Sequence, residues 1–280
     1  MSWPVRPTQQ IGTALDHVAG MTLAAVLAVL WGLPLLYSVW TAFHAEKYSV
    51  QFDLTAPWTL QNFVEAWNAA PFGLYFINTV LLSLMAVSAN FVLCTLTAYG
   101  LVRYRFRWAG PLFALIMVQM LITPEILIGP NYLTLARLGL IDTIFGVALP
   151  YLSSAFGIFL LRQTFKTVPA SLDEAATMEG AGMWRVLWDV YVPLAKPVYL
   201  AYGLVSVSFH WNNFLWPLIV TNSPEARPVT VGLSVFATVD SGVEWSLVNA
   251  ATLMTTAPLV LAFLLFQRGF VDNFMRIGIK

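Results

Sequence analysis

The sequence predicts an all-α fold: a polytopic membrane helical bundle of about six transmembrane helices, with a further short helix in a polar connection. Of the 280 residues, 59% are hydrophobic and only 10% are charged, whereas a soluble globular domain carries about 25% charged residues. Six stretches are long enough to cross the hydrocarbon, for which a helix needs about 20 apolar residues. The basic residues are concentrated in alternate connections, as in multi-pass membrane proteins.

The six predicted spans are separated by polar segments. They comprise residues 18–43, 75–102, 109–128, 143–161, 192–220 and 247–266. The first is longer than the apolar region of a cleaved signal peptide, about 7–15 residues, so we expect it to remain as an anchor. Five spans contain or adjoin a proline: Pro34, Pro124, Pro150, Pro217 and Pro258. Because broken backbone at membrane depth is tolerated mainly beside protein or a wet cavity, these prolines favour a bundle around a path.

The distribution of lysine and arginine predicts that both termini face the cytoplasm. Eleven of the 14 basic residues lie at the termini or in one set of connections: Arg6, Arg103, Arg105, Arg107, Arg162, Lys166, Arg185, Lys196, Arg268, Arg276 and Lys280. The other set of connections contains Lys47, Arg137 and Arg227. Since cytoplasmic loops carry the excess of Lys and Arg, we expect the first set on the cytoplasmic side.

The connection after the first span contains an apolar stripe with helical spacing: Leu60, Phe63, Val64 and Trp67. It predicts a short amphipathic helix, either on the outer membrane surface or packed on the bundle. The single cysteine, Cys94, lies in an apolar run and is expected to pack as a small hydrophobe. No repeat or linker interrupts the chain. We therefore expect one transmembrane domain over residues 1–280, with a core at about 72–266.

The most informative connection comprises residues 162–197, between the fourth and fifth spans. Ser171 followed by Glu174 is a capping-box pattern, which predicts that a helix starts there. One face of this helix consists of Leu172, Ala175, Ala176 and Glu179. The two alanines permit close approach of another surface. Gly180 and Gly182 are expected to end the helix, and a second helix to follow over residues 183–191.

Glu174-Ala175-Ala176, then Gly180-Ala181, and Pro193 at the start of the fifth span resemble the EAA loop of ABC importer permeases. In that family the loop forms a coupling helix that docks in a groove of the cytoplasmic ATPase subunit. The resemblance implies a set of ATPase-coupling residues: Glu174, Ala175, Ala176, Glu179, Gly180, Ala181 and Pro193. Where the family often has Ile-Asp before the Gly-Ala pair, this chain has Met178-Glu179, which keeps the apolar–acidic order.

Each of these residues also has a purely structural interpretation. Glu174 would contact a basic residue of the ATPase, and capping its own helix is compatible with that role. Ala175 and Ala176 are interface residues or simple helix formers. Gly180 is a helix terminator or a pivot that lets the loop lie flat on its partner.

The resemblance extends from about residue 18 to the C-terminus. It includes Thr59–Phe63 in the first outer segment, Asn78–Val80 and Ala98–Gly100 in the second span, and Gly139–Thr143 before the fourth. Residues 211–218 resemble the fifth-span signature of carbohydrate permeases, such as the second permeases of the maltose and glycerol-phosphate systems. That signature commonly reads Asn-Glu-Phe, whereas this chain has Asn212-Asn213-Phe214 and therefore lacks the carboxylate.

Polar and aromatic residues within the spans are candidates for a substrate path or for hydrogen bonds between helices. The candidate path residues are Asn90, Gln119, Glu125, Trp211, Asn212, Asn213 and Trp216. Glu125 is the only acid within a predicted span. The aromatic residues would stack on a sugar ring or pack in the core.

The sequence lacks a phosphate-binding loop and the metalloprotease and serine-hydrolase motifs, so we expect no enzymatic activity, no metal site and no cofactor on this chain. The resemblance implies a homologous permease partner, two cytoplasmic ATPase subunits that bind ATP and Mg, and an extracytoplasmic substrate-binding protein. It places the chain in a bacterial inner membrane. The formal net charge of zero, from 14 basic and 14 acidic residues, predicts no nucleic-acid partner. A self-contained secondary transporter and a membrane-embedded enzyme are the alternatives.

Overall fold

The computed structural model describes residues 7–104, 106–236 and 243–278, with side chains for residues 19–104, 106–236 and 243–265. Every regular element in these ranges is helical, which confirms the all-α prediction. The α-helices are α1 Pro7–Ala42, α2 Lys47–Val50, α3 Gln61–Ala69, α4 Phe72–Arg103, α5 Ala109–Val118, α6 Ile128–Leu138, α7 Ile144–Ala148, α8 Ala155–Lys166, α9 Ala170–Met178, α10 Met183–Val186, α11 Val192–Leu194, α12 Lys196–Trp211, α13 Leu215–Val220, α14 Val229–Gly232 and α15 Trp245–Gly278. Short 3₁₀ segments cover Gln119–Leu121, Pro124–Leu127, Leu149–Tyr151 and Leu233–Phe236, and a π-helical turn covers Leu187–Tyr191.

Three of the described helices are long and apolar enough to cross a membrane alone. They are Ala19–Ala42, Phe72–Arg103 and Trp245–Leu265. Three further spans are obtained if each of three bent helix pairs is one span: Ala109–Leu121 with Pro124–Leu138, Ile144–Tyr151 with Ala155–Lys166, and Met183–Leu194 with Lys196–Trp211. The total of up to six agrees with the prediction.

The third, fourth and fifth spans are each interrupted by a break between helical segments. In the third, the axis turns by 93° between Leu121 and Pro124. Proline has no N–H to donate and its ring clashes with the preceding turn, so Pro124 begins a new helical segment instead of continuing the old one. In the fifth, α12 ends at Trp211, and α13 begins only at Leu215.

By their contacts, the described residues fall into two compact units, Met1–Trp67 with Phe236–Met254, and Asn68–Val235 with Thr255–Lys280. In the first unit, the buried Asn62 of α3 donates from its amide to the carbonyls of Ala42 and His44, at 2.9 and 2.8 Å. Glu46 accepts the backbone N–H of Ser246 at 2.7 Å. Although burial opposes it, this bond and those from the Ser246 and Ser49 side chains lower the pKa of Glu46.

Most of the apolar stripe predicted on α3 is exposed. Leu60, Val64 and Trp67 are exposed, whereas Asn62 and Ala66 are buried. Phe63, the remaining residue of the stripe, is half-buried and packs on Phe43, with ring centroids 4.8 Å apart. An exposed apolar stripe fits the other alternative, a helix on the membrane surface.

The second unit is organised around α4, against which α8 and α12 pack. Their contact is close because Gly157 has no side chain: a Cβ atom there would lie 2.7 Å from the Tyr202 ring and 3.0 Å from the Cys94 sulfur. Cys94 is completely buried, as expected for a packing residue. Ser154 caps α8 by accepting the N–H of Gly157 at 3.2 Å.

Two polar clamps hold the connection that precedes α7 and the one that follows α13. Asp142 adopts a positive φ of 61° and accepts the backbone N–H groups of Asn222 and Ser223 at 2.8 and 2.9 Å. The amide of Asn78 donates to the carbonyls of Glu225 and Arg227. Asp142 and Asn78 both belong to segments through which the sequence resembles the permease family.

Candidate functional sites

The segment between α8 and α10 forms the predicted short helix, α9. The predicted capping box is wrong: α9 begins at Ala170, and its N-cap position is occupied by Pro169, with no side-chain capping bond. Ser171 therefore lies inside the first turn. Asp173 supplies the negative charge near the N-terminus of the helix, where the helix dipole favours an acid.

The C-terminus of α9 is as predicted. The N–H of Gly180 donates to the carbonyl of Thr177, and the N–H of Ala181 donates to that of Ala176, both at 3.0 Å. This pair of bonds is a Schellman motif, which needs a left-handed residue after the helix. Gly180 has a φ of +79°, a conformation that L side chains rarely adopt.

An ion pair attaches α9 to the end of α4. The Nε of Arg103 lies 2.9 Å from Oδ2 of Asp173, and the two side chains are 34% and 13% exposed. A second guanidinium nitrogen of Arg103 donates to Oγ1 of Thr177 at 3.4 Å. No local sequence pattern predicts this pair, because Arg103 and Asp173 belong to different connections between the spans.

The inner face of α9 packs on the main core. Ala176 and Ala181 contact a buried cluster that includes Tyr99 of α4, Phe165 of α8 and Leu187 of the π-helical turn. The small side chain of Ala176 allows this approach. Of the two alanines considered as interface residues, Ala176 thus contacts the chain's own core, and Ala175 is exposed.

The outer face of α9 and the following turn are exposed and partly apolar. Leu172 is 45% exposed, Met178 89%, Trp184 56% and Trp188 57%. Glu174, Ala175 and Glu179 are exposed as well. We refer to Leu172, Glu174, Ala175, Met178 and Glu179 as the coupling surface. Apolar residues left in contact with solvent next to acidic ones are typical of a site for another protein.

Pro193 lies differently from the prediction. It is inside α11, at the end of the continuous helical stretch Met183–Leu194, and the chain turns by 75° only after it, before Lys196. The buried Ala195 occupies the corner. Pro193 itself is exposed, and it lies in the first segment of the bent fifth span, so the turn into α12 comes after it.

The second candidate site is a cavity of about 480 Å³ within the second unit. Three breaks between helical segments line it: the breaks near residues 122–124, 152–154 and 212–214. Backbone that leaves the helical pattern at membrane depth is tolerated beside a wet cavity. The volume is in the range of small-ligand sites, about 300–1,000 Å³.

Five of the seven predicted path residues line this cavity: Asn90, Gln119, Glu125, Asn213 and Trp216. Trp211 and Asn212 do not. The indole of Trp211 donates to the carbonyl of Thr255 at 3.0 Å, and the amide of Asn212 donates to the carbonyl of Ser208 at 2.8 Å. The Trp211 bond joins α12 to α15, which was the alternative interpretation, whereas the Asn212 bond lies within the last turn of α12.

Asn90 and Trp216 combine both roles. The amide of Asn90 donates to the carbonyls of Ala86 and Tyr151, each at 2.7 Å, and its oxygen accepts the hydroxyl of Tyr202 at 3.1 Å. The Trp216 indole donates to the carbonyl of Val147 at 3.0 Å. These side chains shape the wall of the cavity, whereas Gln119 and Glu125 are exposed at it.

His210 also lines the cavity, and as a polar residue of the fifth predicted span it is a candidate for the path or for a hydrogen bond between helices. It is 5% exposed and lies on the cavity between Tyr151 and Phe209. Its Nδ1 has no hydrogen-bond partner within the described residues.

Helical spans broken around a cavity, with an exposed helix anchored at one end, define the class of a membrane transport permease. The chain belongs to the family described as binding-protein-dependent transport system inner membrane component, whose profile matches residues 90–274. Membership makes it a multi-pass inner-membrane component of a transport system.

Curated relatives agree with this assignment along most of the chain. The sn-glycerol-3-phosphate transport system permease protein UgpE of Yersinia pestis is 32% identical over 260 residues, which cover 88% of this chain and 92% of that protein. UgpE of Pectobacterium atrosepticum has the same identity and coverage. UgpE of Shigella flexneri is 30% identical over 251 residues, covering 85% and 89%.

A solved structure has the same fold. A chain from a bacterial ABC transporter involved in the import of the acidic polysaccharide alginate matches with a TM-score of 0.81 at 22% identity, covering 95% of this chain and 99% of that one. A second structure, of a bacterial alginate ABC transporter in complex with a periplasmic protein bound to an alginate pentasaccharide, matches with a TM-score of 0.67 at 13% identity.

Proposed function

We propose that the chain is one permease subunit of an ATP-driven, binding-protein-dependent sugar importer in a bacterial inner membrane. It forms half of the translocation path and pairs with a homologous permease, two cytoplasmic ATPase subunits and an extracytoplasmic binding protein. Both termini and α9 face the cytoplasm. The observation that carries the proposal is the coupling surface, which is exposed on a helix that is itself firmly attached to the helices around the cavity.

The attachment supplies a route for mechanical coupling. Arg103 joins α9 to α4, and Ala176 packs α9 on the cluster shared by α4 and α8. Residues of α4, α8 and α12 line the cavity. A displacement of α9 by closure of the ATPase dimer would therefore move the cavity walls. Alternation between inward-facing and outward-facing cavities follows from two such displacements, one in each permease.

The chain's own residues serve to bind partners and to line the path. Glu174 and Glu179 present carboxylates to a basic groove on the ATPase, and Leu172 and Met178 supply apolar contact. ATP and Mg are bound by the ATPase subunits, and this chain contributes no catalytic group and binds no cofactor. Sugar specificity is shared with the binding protein and the partner permease.

One observation favours a second candidate, a self-contained secondary transporter. Glu125 lies at the cavity, and ion-coupled transporters use acids at such positions. That function would need no ATPase. It leaves the exposed coupling surface without a purpose, so we favour the importer.

Co-purification tests the proposal. The chain is expressed with a candidate partner permease and ATPase, and we expect a detergent-stable complex that hydrolyses ATP and supports ATP-dependent uptake in proteoliposomes. Uptake by the purified chain alone, without ATP, would instead establish the secondary transporter.

Two substitutions in the α9 segment sharpen the test. Glu174→Lys reverses a charge of the coupling surface, and Gly180→Pro is incompatible with the positive φ that ends α9, because proline fixes φ near −65°. We expect both variants to insert into the membrane but to abolish uptake. Glu225→Lys, at an exposed acid outside this segment, is the matched control and should retain uptake. Normal uptake by both α9 variants would contradict the coupling role.

A further inference from the structure

The lining of the cavity includes several polar groups but few charged ones. Glu125 is the only Asp, Glu, Lys or Arg among the lining residues, all of which belong to the described part of the chain. Asn90, Gln119, Asn131 and Asn213 add four amides. Thus the lining carries one negative charge and no guanidinium or ammonium group to compensate for an anionic ligand.

An anion would be disfavoured in this environment for two reasons. Its charge would be repelled by the Glu125 carboxylate, and the low-dielectric surroundings of a membrane protein strengthen that repulsion relative to water. It would also lose its hydrating water without gaining the charge-assisted hydrogen bonds that Arg and Lys give to carboxylates and phosphates. Sites that recognise such groups are built around those two residue types.

An uncharged polyhydroxylated ligand fits the same groups. The buried His210 brings a ring nitrogen, Nδ1, that has no hydrogen-bond partner in the part of the chain that the structure describes. An amide side chain both donates and accepts, as a sugar hydroxyl does. Tyr151, Phe209 and Trp216 add aromatic surface to the lining. A sugar ring presents hydroxyl groups at its edge and C–H groups on its face, so both parts of the ring find suitable contacts.

We infer that this cavity binds an uncharged carbohydrate, with His210 as a hydrogen-bond partner and Glu125 as the group that discriminates against phosphorylated and uronic-acid ligands. The inference rests on the proposed function and narrows its substrate class. It separates this chain from the relatives named above, whose names specify a phosphate ester, and from the structural neighbours, which import an acidic polysaccharide.

The test uses the complete importer with its binding protein in proteoliposomes. The radiolabelled probes are neutral oligosaccharides (maltose, cellobiose, raffinose and mannobiose) and two anions, sn-glycerol-3-phosphate and an alginate trisaccharide. We expect ATP-dependent uptake of at least one neutral probe and of neither anion. ATP-dependent uptake of an anion overturns the inference while it leaves the importer function intact. Failure of an ATPase to co-purify overturns the importer function, and the inference falls with it.

Variants of His210 test this chain's share of the selectivity. Loss of one hydrogen bond to the ligand in His210→Leu should raise the KM for the transported probe about tenfold, and His210→Gln, which keeps a polar group, should recover most of the affinity. Ser88→Ala, at an exposed residue of α4 outside the lining, is the control and should change KM by less than about twofold. Equal KM values for the two His210 variants in an assembled complex would overturn the role of this residue.

Discussion

Arg103 connects the C-terminus of α4 to the first turn of α9 through a single short contact with Asp173. Most surface ion pairs contribute about 0–1 kcal/mol to stability. This pair is more shielded than most, since the Asp173 side chain is only 13% exposed. Because it joins α4 to α9, this pair holds the coupling surface in place, although neither residue belongs to that surface.

We predict that Arg103→Glu and Asp173→Arg each lower uptake more than they lower ATP hydrolysis, because α9 then moves without moving α4. The double variant, which restores the pair in reverse, should recover part of the uptake, with a coupling energy of about 1 kcal/mol. The measurement is the number of ATP molecules hydrolysed per solute imported. Arg185→Ala removes a pair on the same segment whose side chains are 74% and 65% exposed, and it should leave that ratio unchanged. An equal effect of Arg185→Ala would argue against a special role for Arg103.

Asp142 makes the stability of the folded protein depend on pH. The backbone N–H of Ser223, against the opposing effect of burial, and that of Asn222 lower the pKa of its carboxyl. A lowered folded-state pKa means that the stabilisation is complete at neutral pH and is lost as the pH falls through that value. We predict that lowering the pH from about 6 to about 3 reduces the thermal unfolding midpoint of Asp142→Asn less than it reduces that of the unaltered protein.

The matched variant is Asp142→Ala, which removes both accepted bonds and should cost about 2 kcal/mol at neutral pH. Asn retains an oxygen acceptor and tolerates the positive φ, so its cost there should be smaller. Identical pH profiles for all three proteins would refute the electrostatic role of Asp142.

At the scale of elements, the packing of α8 against α4 and α12 depends on the absence of a side chain at Gly157. We predict that Gly157→Ala destabilises the protein by about 1–3 kcal/mol, the usual cost of overpacking, because the new methyl group meets the Tyr202 ring and the Cys94 sulfur. Gly100→Ala is the control, since a Cβ there has no neighbour within 4 Å and alanine is the better helix former. Thermal unfolding of the detergent-purified complex measures both. A Gly157→Ala variant as stable as Gly100→Ala would show that the contact of α8 with α4 and α12 accommodates the methyl group without loss of stability.

The sequence predicted some elements well because local chemistry determines them. The second span, predicted at residues 75–102, is observed as Phe72–Arg103, since a long apolar stretch between polar ends has few alternatives in a membrane. The C-terminus of α9 followed from Gly180, whose backbone freedom is a property of the residue itself. Its N-terminus did not, because Pro169 displaced the capping pattern that begins at Ser171.

Other features depend on contacts between distant residues and could not be predicted from local patterns. Pro124 indicated a weak point in the third span, but the 93° turn there is a tertiary feature. The aromatic residues of the fifth span looked equivalent in sequence. Both indoles donate to a carbonyl of another helix, Thr255 for Trp211 and Val147 for Trp216, and only the tertiary arrangement places Trp216 on the cavity and Trp211 away from it.

At the scale of the whole molecule, the coupling surface and the cavity are separate sites that the same helices connect. Residues 90–274, the part matched by the family, include both of them. The coupling surface faces away from the core, and a partner is required to explain it. That the chain forms one transmembrane domain stays a prediction, and the basic residues Arg6, Arg105 and Lys280, on which the orientation partly depends, lie outside the described residues.

The interrupted helices also constrain how the nascent chain enters the bilayer. A continuous apolar helix can leave the translocon by itself, because its backbone groups are paired internally. A span interrupted at Leu152–Ser154 cannot, and its partners come from far along the chain: the Asn90 amide reaches the Tyr151 carbonyl across 61 residues. Because Asn90 precedes this span in the chain, we expect the fourth span to enter the bilayer against a second span that has already been synthesised, so that these helices are inserted as a group instead of one at a time.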